Sequence, residues 1–386
     1  MITVRLRVSR LCVFVWRDGR LVCDDPVRHR QFALSEAAHA LLPRFADWSE
    51  PSADRDSAGA PDARLVAQLL AANVLVEEGS REHEFEERLG PWGDWGTASR
   101  YFHLASRTHS GAEFASAAED TAWLLQTLPD RPQPAPFKEY PAVPRTQLPP
   151  ATGADPAALG LEAVLRRRRT TRRFEPGALV SRQELATLLR WVAGPLHTVE
   201  PKGLQQQLLK ASPSAGALHT LEVYPVVLGV EGVAPGIYHY HPTAHALEAV
   251  APGREVDREE LVHWCGGQTY VGQAGVVLFY TAMLERTAWK YRTGRTYRTL
   301  FMELGHFSQT AYLVGTALNL GVFFTAATRD AAVEEALGLD WTSEILVGLN
   351  GVGVPAVDER ERQDRMLHGG PADFSFAQDA WDGRGA

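Results

Sequence analysis

Apolar and polar positions along this chain fall into three successive patterns. Near the start, Val4 to Trp16 and Arg20 to Cys23 carry the short runs of strands, and Asp18-Gly19 between them is a favourable hairpin dipeptide. Ser35 stands as an N-cap before a helical period reaching about Trp48, Asp54 to Asp62 is a polar loop, Ala63 to Ala72 is helical, and Val74-Leu75-Val76 is a strand. Residues 1–80 therefore read as a small α+β, winged-helix-like module. Helical periods return in Phe85 to Leu89 and Ala112 to Leu128, within an acidic and aromatic bridge. The run RPQPAPFKEYPAVPRTQLPPATGADP follows, and its prolines favour extended backbone, so residues 81–150 read as a helical bridge ending in a linker.

From residue 151 onward the pattern alternates. It predicts helices at Ala157 to Arg169, Arg182 to Val192, Arg258 to Cys265, about Thr296 to Leu320, and Asp330 to Leu337. Strand-like runs occupy 222–230, 236–241, 245–250, 274–283, 322–327 and 344–350. The expected fold of 151–386 is α+β, a mixed sheet flanked by helices. No internal repeat, Walker loop or GxGxxG fingerprint appears.

Composition narrows the partners. The chain has 386 residues, 45% hydrophobic and 22% charged, as expected of a folded water-soluble protein rather than a disordered one. A net charge of −8 gives no general field for polyanions, so nucleic acid is not an expected partner. Three cysteines, Cys12, Cys23 and Cys265, form no metal-ligand spacing and fit reduced thiols in a cytoplasm. The opening MITVRLRVSRLCVFVW lacks the parts of a secretory signal, and the longest helix-like apolar stretch, Phe307 to Leu320, is too interrupted for a membrane span. A cytoplasmic protein with no membrane partner is the expectation.

Four constellations carry candidate chemistry. Arg166 to Phe174, RRRRTTRRF, places six arginines in nine positions, which suits either a solvated basic face or a phosphate site, since guanidinium forks match phosphate oxygens. SPSAGALHTLEVY, Ser212 to Tyr224, offers small residues that let backbone approach a planar or phosphorylated ligand, or simply form a tight turn. Glu303, His306, Gln309 and Thr310 gather on one side of a largely apolar helix and must find partners. Lys290-Tyr291 joins one of only four lysines to a tyrosine, an arrangement open to proton transfer as well as to plain surface exposure.

Taken in order, these segments resemble the FMN-dependent nitroreductase superfamily, and more closely its SagB-type branch, the azoline dehydrogenases of thiazole/oxazole-modified peptide pathways. RRTTRRF (168–174) resembles the family's RRSxRxF, PSAGAL (213–218) matches its PSAGAL, Lys290-Tyr291 matches its KY pair, and ELGHFSQT (303–310) resembles its EAGHxxQN. DPVRHRQFALS, YFHLASRTH and PFKEYPAVPR are similar to SagB-type N-terminal regions. The resemblance implies that Arg168, Arg169, Thr170 and Arg172 contact the phosphate and ribityl oxygens of FMN, and that Pro213, Ser214, Ala215 and Gly216 line its ring. It further implies Gln309, Ala326 and Ala327 as cofactor contacts, Lys290 and Tyr291 as the acid/base pair, and a homodimer.

The implied reaction is oxidation of thiazolines or oxazolines to thiazoles or oxazoles in a ribosomally made precursor peptide, with a cyclodehydratase complex as a possible setting and the N-terminal module as a possible peptide-recognition element. A small-molecule nitroreductase and a catalytically weak scaffold subunit are the alternatives. Departures from the family pattern are His219-Thr220 where Tyr-Pro is common, Thr310 for asparagine, Ala326-Ala327 where glycine is usual, and Gly353-Val354-Pro355 where an arginine often follows glycine.

Overall fold

The computed structural model describes residues 4–51, 63–90, 96–108, 115–151 and 160–367. The chain forms two compact units, Met1–Glu113 and Phe114–Ala386. In the first, strands β1 (Leu6–Val8), β2 (Val13–Arg17), β3 (Arg20–Asp25) and β4 (Arg30–Ala33) precede helices α1 (Glu36–Leu41) and α2 (Ala63–Ala71), strand β5 (Leu75–Glu77), and helices α3 (Arg81–Arg88) and α4 (Gly96–Ala105). Short helices accompany two small antiparallel sheets in this unit.

The run Val4 to Trp16 is not one strand. β1 pairs with β5, whereas β2 joins β3 and β4 in a separate three-stranded sheet. Ser9 makes the break: its hydroxyl donates to Glu86 Oε1 at 2.6 Å and accepts from Leu11 N at 3.2 Å, which turns the chain. Asp18 and Gly19 have φ of +51° and +72°, the left-handed pair that a two-residue primed hairpin turn requires. The helix capped by Ser35 stops at Leu41 and passes into a single tighter turn, Leu42–Phe45, instead of reaching Trp48. Pro43 has no N–H to continue the helical ladder. The polar loop expected from Asp54 to Asp62 lies outside the described residues. Leu6, Cys23, Phe45, Leu69 and Leu75 form the core of this unit.

The second unit opens with α5 (Ala117–Thr127) and β6 (Arg145–Gln147), then α6 (Leu161–Arg167), α7 (Arg182–Val192), the pair β7 (Pro195–Val199) and β8 (Gln207–Lys210), and β9 (Leu221–Val227), β10 (Gly236–His241) and β11 (Ala246–Ala249). It closes with α8 (Arg258–Trp264), β12 (Val276–Met283), α9 (Leu284–Lys290), α10 (Tyr297–Ala317), β13 (Gly321–Thr325), α11 (Asp330–Leu337), β14 (Glu344–Gly353) and α12 (Val357–Leu367). Seven strands make one sheet in the order β13-β14-β12-β9-β10-β11-β6, and every neighbouring pair is antiparallel. Parallel pairing enters through single bridges of Thr170 to Val322 and Val180 to Val230.

Both faces of this sheet are covered. Along β12, Val276, Leu278, Tyr280 and Ala282 pack with α7 and α10, while Val277 and Phe279 pack with α8 and α11. Side chains alternate between faces, so a strand buried on both sides reads as the largely apolar run VVLFYTAM. The proline-rich stretch is built into this unit: β6 is an edge strand on β11, and Lys138 reaches Glu344 of β14 at 2.5 Å. Helix α6 ends at Arg167 rather than Arg169, and the part of its expected range before residue 160 lies outside the described residues. Among the described residues no helix is long and apolar enough to cross a membrane.

Candidate active site

Between β8 and β9 the chain passes through PSAGAL in a turn where Gly216, Ala217 and His219 have φ of +62°, +54° and +46°. Left-handed backbone is costly for residues other than glycine and persists only where surroundings enforce it. Helix α10 does so. The buried Glu303 carboxylate accepts from Ser214 Oγ at 2.8 Å and Thr220 Oγ1 at 2.5 Å, and Ser214 Oγ accepts from the His219 amide at 3.0 Å. One turn on, His306 Nδ1 donates to the Pro213 carbonyl at 2.9 Å, and the Thr310 and Ser212 hydroxyls meet at 2.9 Å. Positions 303, 306 and 310 share a helix face, so the polar side of α10 is the clamp that holds this turn. Ser214, read from the sequence as a ligand contact, spends its hydroxyl on holding the turn.

Lys290 and Tyr291 lie against the same turn. A Cβ at Gly216 would stand 2.7 Å from Tyr291 Oη and 2.9 Å from Lys290 Nζ, so only glycine leaves room for them. Lys290 Nζ lies 5.4 Å above the Tyr291 ring. The pair sits at the C-terminus of α9, where the Tyr291 amide donates to Thr287 O at 2.9 Å and Trp289 Nε1 donates to Arg131 O at 3.0 Å.

The arginine run is extended beyond α6, and its side chains alternate accordingly. On one side Arg168 lies over the Tyr312 ring at 5.3 Å, Thr170 Oγ1 meets the Tyr312 hydroxyl at 3.1 Å, and Arg172 lies over the Tyr270 ring at 5.5 Å. Neither Arg168 nor Arg172 pairs with a carboxylate among the described residues, unlike Arg166 with Glu162 and Arg173 with Asp358, each at 2.9 Å. Arg169 is on the other side, donating to the Arg166 and Arg168 carbonyls at 2.8 and 2.7 Å and lining a cleft with Arg360 and Gln363.

Two groups therefore emerge: Pro213 to Gly216 with Lys290 and Tyr291, and separately Arg168, Thr170 and Arg172. Ala326 and Ala327 are exposed just after β13, where the Ala327 amide donates to Thr325 Oγ1 at 3.1 Å; burial raises the pKa of Tyr270, while its contacts with Arg172 and Thr325 act against that. Gln309 is exposed on α10 and makes no side-chain hydrogen bond among the described residues.

Sequence reasoning passed over a buried polar network on the neighbouring strands. His239 is fully buried between Glu248 (Nδ1 to Oε2, 2.8 Å) and Glu222 (Nε2 to Oε2, 3.0 Å), and Glu222 also accepts from Arg286 Nη2 at 2.5 Å. Burial alone would raise the Glu222 carboxyl, but Arg286 and His239 outweigh it and hold it well below the usual carboxylate range. Burial likewise opposes charge on His239, and the two carboxylates prevail, raising its pKa. The available signal was a single Glu or His in each of the largely apolar runs EVYPVV, IYHY and ALEA, since buried charges need partners.

With this geometry in place, comparison with known proteins fixes the class. The nitroreductase family pattern matches residues 165–354, and the chain is 34% identical over 177 residues to a protein of Methanocaldococcus jannaschii named as a nitroreductase, covering 46% of this chain and 83% of that one. The chain belongs to the nitroreductase family. It is also 31% identical over 163 residues to the trifolitoxin-processing protein TfxB of Rhizobium leguminosarum bv. trifolii, 40% of this chain and 42% of that protein. Among solved structures, a nitroreductase-named protein of Anabaena variabilis superposes with a TM-score of 0.47 at 27% identity, over 64% of this chain and 50% of its own. A chain of the E. coli microcin synthetase McbBCD complex, with truncated pro-MccB17 bound, gives 0.43 at 22% identity, over 67% and 92%.

Proposed function

We propose that this chain is an FMN-dependent azoline dehydrogenase of the SagB type, oxidising thiazolines or oxazolines in a ribosomally made peptide. The observation that carries the reading is the contact of Lys290 and Tyr291 with the Gly216 turn, which sets two proton-transfer groups beside a small-residue cradle that a Cβ would fill. The similarity to a trifolitoxin-processing protein supports a peptide substrate. The residues fit FMN: Arg168 and Arg172 are cations without carboxylate partners among the described residues, suited to a phosphate, and Thr170 adds a hydroxyl between them. Arg169, Gln309, Ala326 and Ala327 are secondary contacts in this reading.

Aromatising an azoline removes two electrons and two protons. FMN, when bound, supplies the two-electron acceptor. One ring C–H hydrogen leaves as a proton, taken by Lys290 Nζ or Tyr291 Oη, and a second ring C–H hydrogen leaves with the electron pair, while the other of the two side chains hydrogen-bonds the unprotonated ring nitrogen. Glu303, His306 and Thr310 keep the turn in the conformation that brings these groups together. The 1–80 module is the peptide-recognition element, binding an extended segment along a sheet edge. The 81–150 bridge joins it to the FMN domain of 151–386, and the enzyme acts as a cytoplasmic homodimer beside a cyclodehydratase.

The test is an absorption spectrum of the purified protein, identification of the released chromophore, and oxidation of azoline peptides by wild type, K290A and Y291F. FMN near one per subunit, and loss of oxidation with FMN retained in the variants, is the expected result. A flavin enzyme active only in NAD(P)H-driven nitro reduction assigns it to small molecules. A colourless protein that binds no added FMN makes it a scaffold.

A further inference from the structure

The structure assigns Arg286 as the positioning residue of the Lys290–Tyr291 pair, an inference that rests on the proposed reaction for its chemistry and on the fold for its geometry. Arg286 lies on α9 one helical turn before Lys290 and is 4% exposed. Each of its three nitrogens donates once: Nε to Ala135 O at 2.9 Å, Nη1 to His219 O at 3.0 Å, and Nη2 to Glu222 Oε1 at 2.5 Å. One guanidinium thus ties α9 to the proline-rich strap, to the last left-handed residue of the PSAGAL turn, and to β9.

The anchor is itself rigid. Glu222 accepts from the Lys138 amide at 2.8 Å and meets His239 at 3.0 Å, so it has little freedom to follow a shifting arginine. Helix α9 has only seven residues, and its C-cap Tyr291 is already extended at φ −110° and ψ 102°. Trp289 and Ala288 also tie the helix to Arg131, at 3.0 and 3.2 Å, but these bonds do not reach the PSAGAL turn. Any rotation of the helix about its axis carries Lys290 and Tyr291 across the face of Gly216. The bond to His219 O opposes it by joining the helix to the turn directly, without passing through either acid/base group. Lysine at 286 preserves the charge but lacks the planar fork that serves three acceptors at once.

The experiment compares full-length, FMN-loaded R286K with wild type and with R145K. Arg145 pairs with Glu248 in the same buried network and with Glu139, and neither carboxylate lies on α9 or the turn. Two readouts are taken: hydrogen exchange at the amides of Trp289 to Tyr291, relative to α7, and the split between kcat and KM for azoline-peptide oxidation. In R286K, exchange at Tyr291 rises at least tenfold and kcat falls at least tenfold, while KM stays within threefold and FMN content is unchanged. R145K moves neither readout. Unchanged exchange in R286K overturns the inference, as do equal effects in R145K, or faster exchange with kcat intact in an enzyme that K290A inactivates. If K290A and Y291F leave oxidation untouched, it is the proposed reaction that fails, and exchange alone still decides the positioning. Should R286K not fold, the paired R286M/E222Q replacement removes both buried charges and carries the same expectations.

Discussion

Replacing Gly216 by alanine tests the candidate site at its tightest point. The backbone there has φ +62°, where a residue with a Cβ costs roughly 1–2 kcal/mol, so the melting temperature should fall by roughly 2–8 °C. The new methyl also lands 2.7 Å from Tyr291 Oη and 2.9 Å from Lys290 Nζ, against an ordinary contact distance of 3.4 Å or more. Lys290 can bend away along a flexible stem. Tyr291 moves only as a whole ring, by several tenths of an ångström. Since misplacing a reacting group by about 1 Å can cost roughly 100-fold in rate, G216A should lose roughly 10- to 100-fold in kcat for azoline oxidation while keeping its FMN. The assay is single-turnover oxidation of an azoline peptide, run beside thermal melting and a flavin spectrum. Because the loss acts through Tyr291, the double variant G216A/Y291F should be little slower than Y291F alone. A G216A enzyme that melts lower but oxidises at the wild-type rate, or a double variant whose losses multiply, refutes the placement.

Three further outcomes are expected. R168A and R172A should each weaken FMN binding by roughly 10- to 100-fold, the value of one charge-assisted bond of about 1.5–3 kcal/mol, and R169A by less than threefold, as read by flavin fluorescence titration. E303A removes the acceptor shared by Ser214 and Thr220 and should cost about 2–3 kcal/mol in urea unfolding, with E303Q costing less. Burial, with Lys210 and Arg286 nearby, pushes the His219 imidazole down to about 3, so the folded chain keeps it neutral while the unfolded chain protonates it near 6.5. Its contribution is therefore complete above pH 6.5 and is lost as pH falls from there toward 3. His239, with its pKa raised, acts in the opposite sense, contributing below pH 6.5 and fading as pH rises through the folded value. H219N, which tolerates the left-handed backbone, should flatten the fall in urea midpoint between pH 7 and pH 5, and an unchanged slope rejects the assignment.

The elements legible in the sequence were those whose burial is written into period and run length. Val276–Met283 is apolar except for Thr281 because helices cover both faces, and Arg182–Val192 carries the Ser181 N-cap and Glu184 of a capping box. The hairpin β7–β8 and the three-residue β6 were not legible. A strand of Pro195, Leu196, His197, Thr198 and Val199 has no clean alternation, and prolines around Arg145–Gln147 mask an edge strand that needs few ladder bonds. At the site, the PSAGAL turn and the KY pair, read from the sequence as separate motifs, meet in the fold. The clamp was only half visible: Glu303, His306 and Thr310 read as polar groups in need of partners, but that the partner is the PSAGAL turn depends on α10 crossing beneath β8 and β9. That Arg286 and Glu222, more than sixty positions apart, are partners had no local signal.

Helix α10 also bears on how a complete site is assembled. Thr310 faces Ser212 and the glycine turn, whereas Tyr312 faces Arg168 and Thr170. At about 100° per residue, these two positions stand roughly 200° apart around the helix, so its body lies between the two groups in a single chain. A planar ligand with a phosphate tail that used both groups of one copy would have to pass around α10. Two copies related by a twofold axis can instead face the turn of one toward the arginines of the other, an isologous arrangement that completes two sites at once. Under the proposed function, the homodimer and the cofactor site therefore stand or fall together: a variant that stays monomeric should lose FMN even with every ligand residue of its own chain intact.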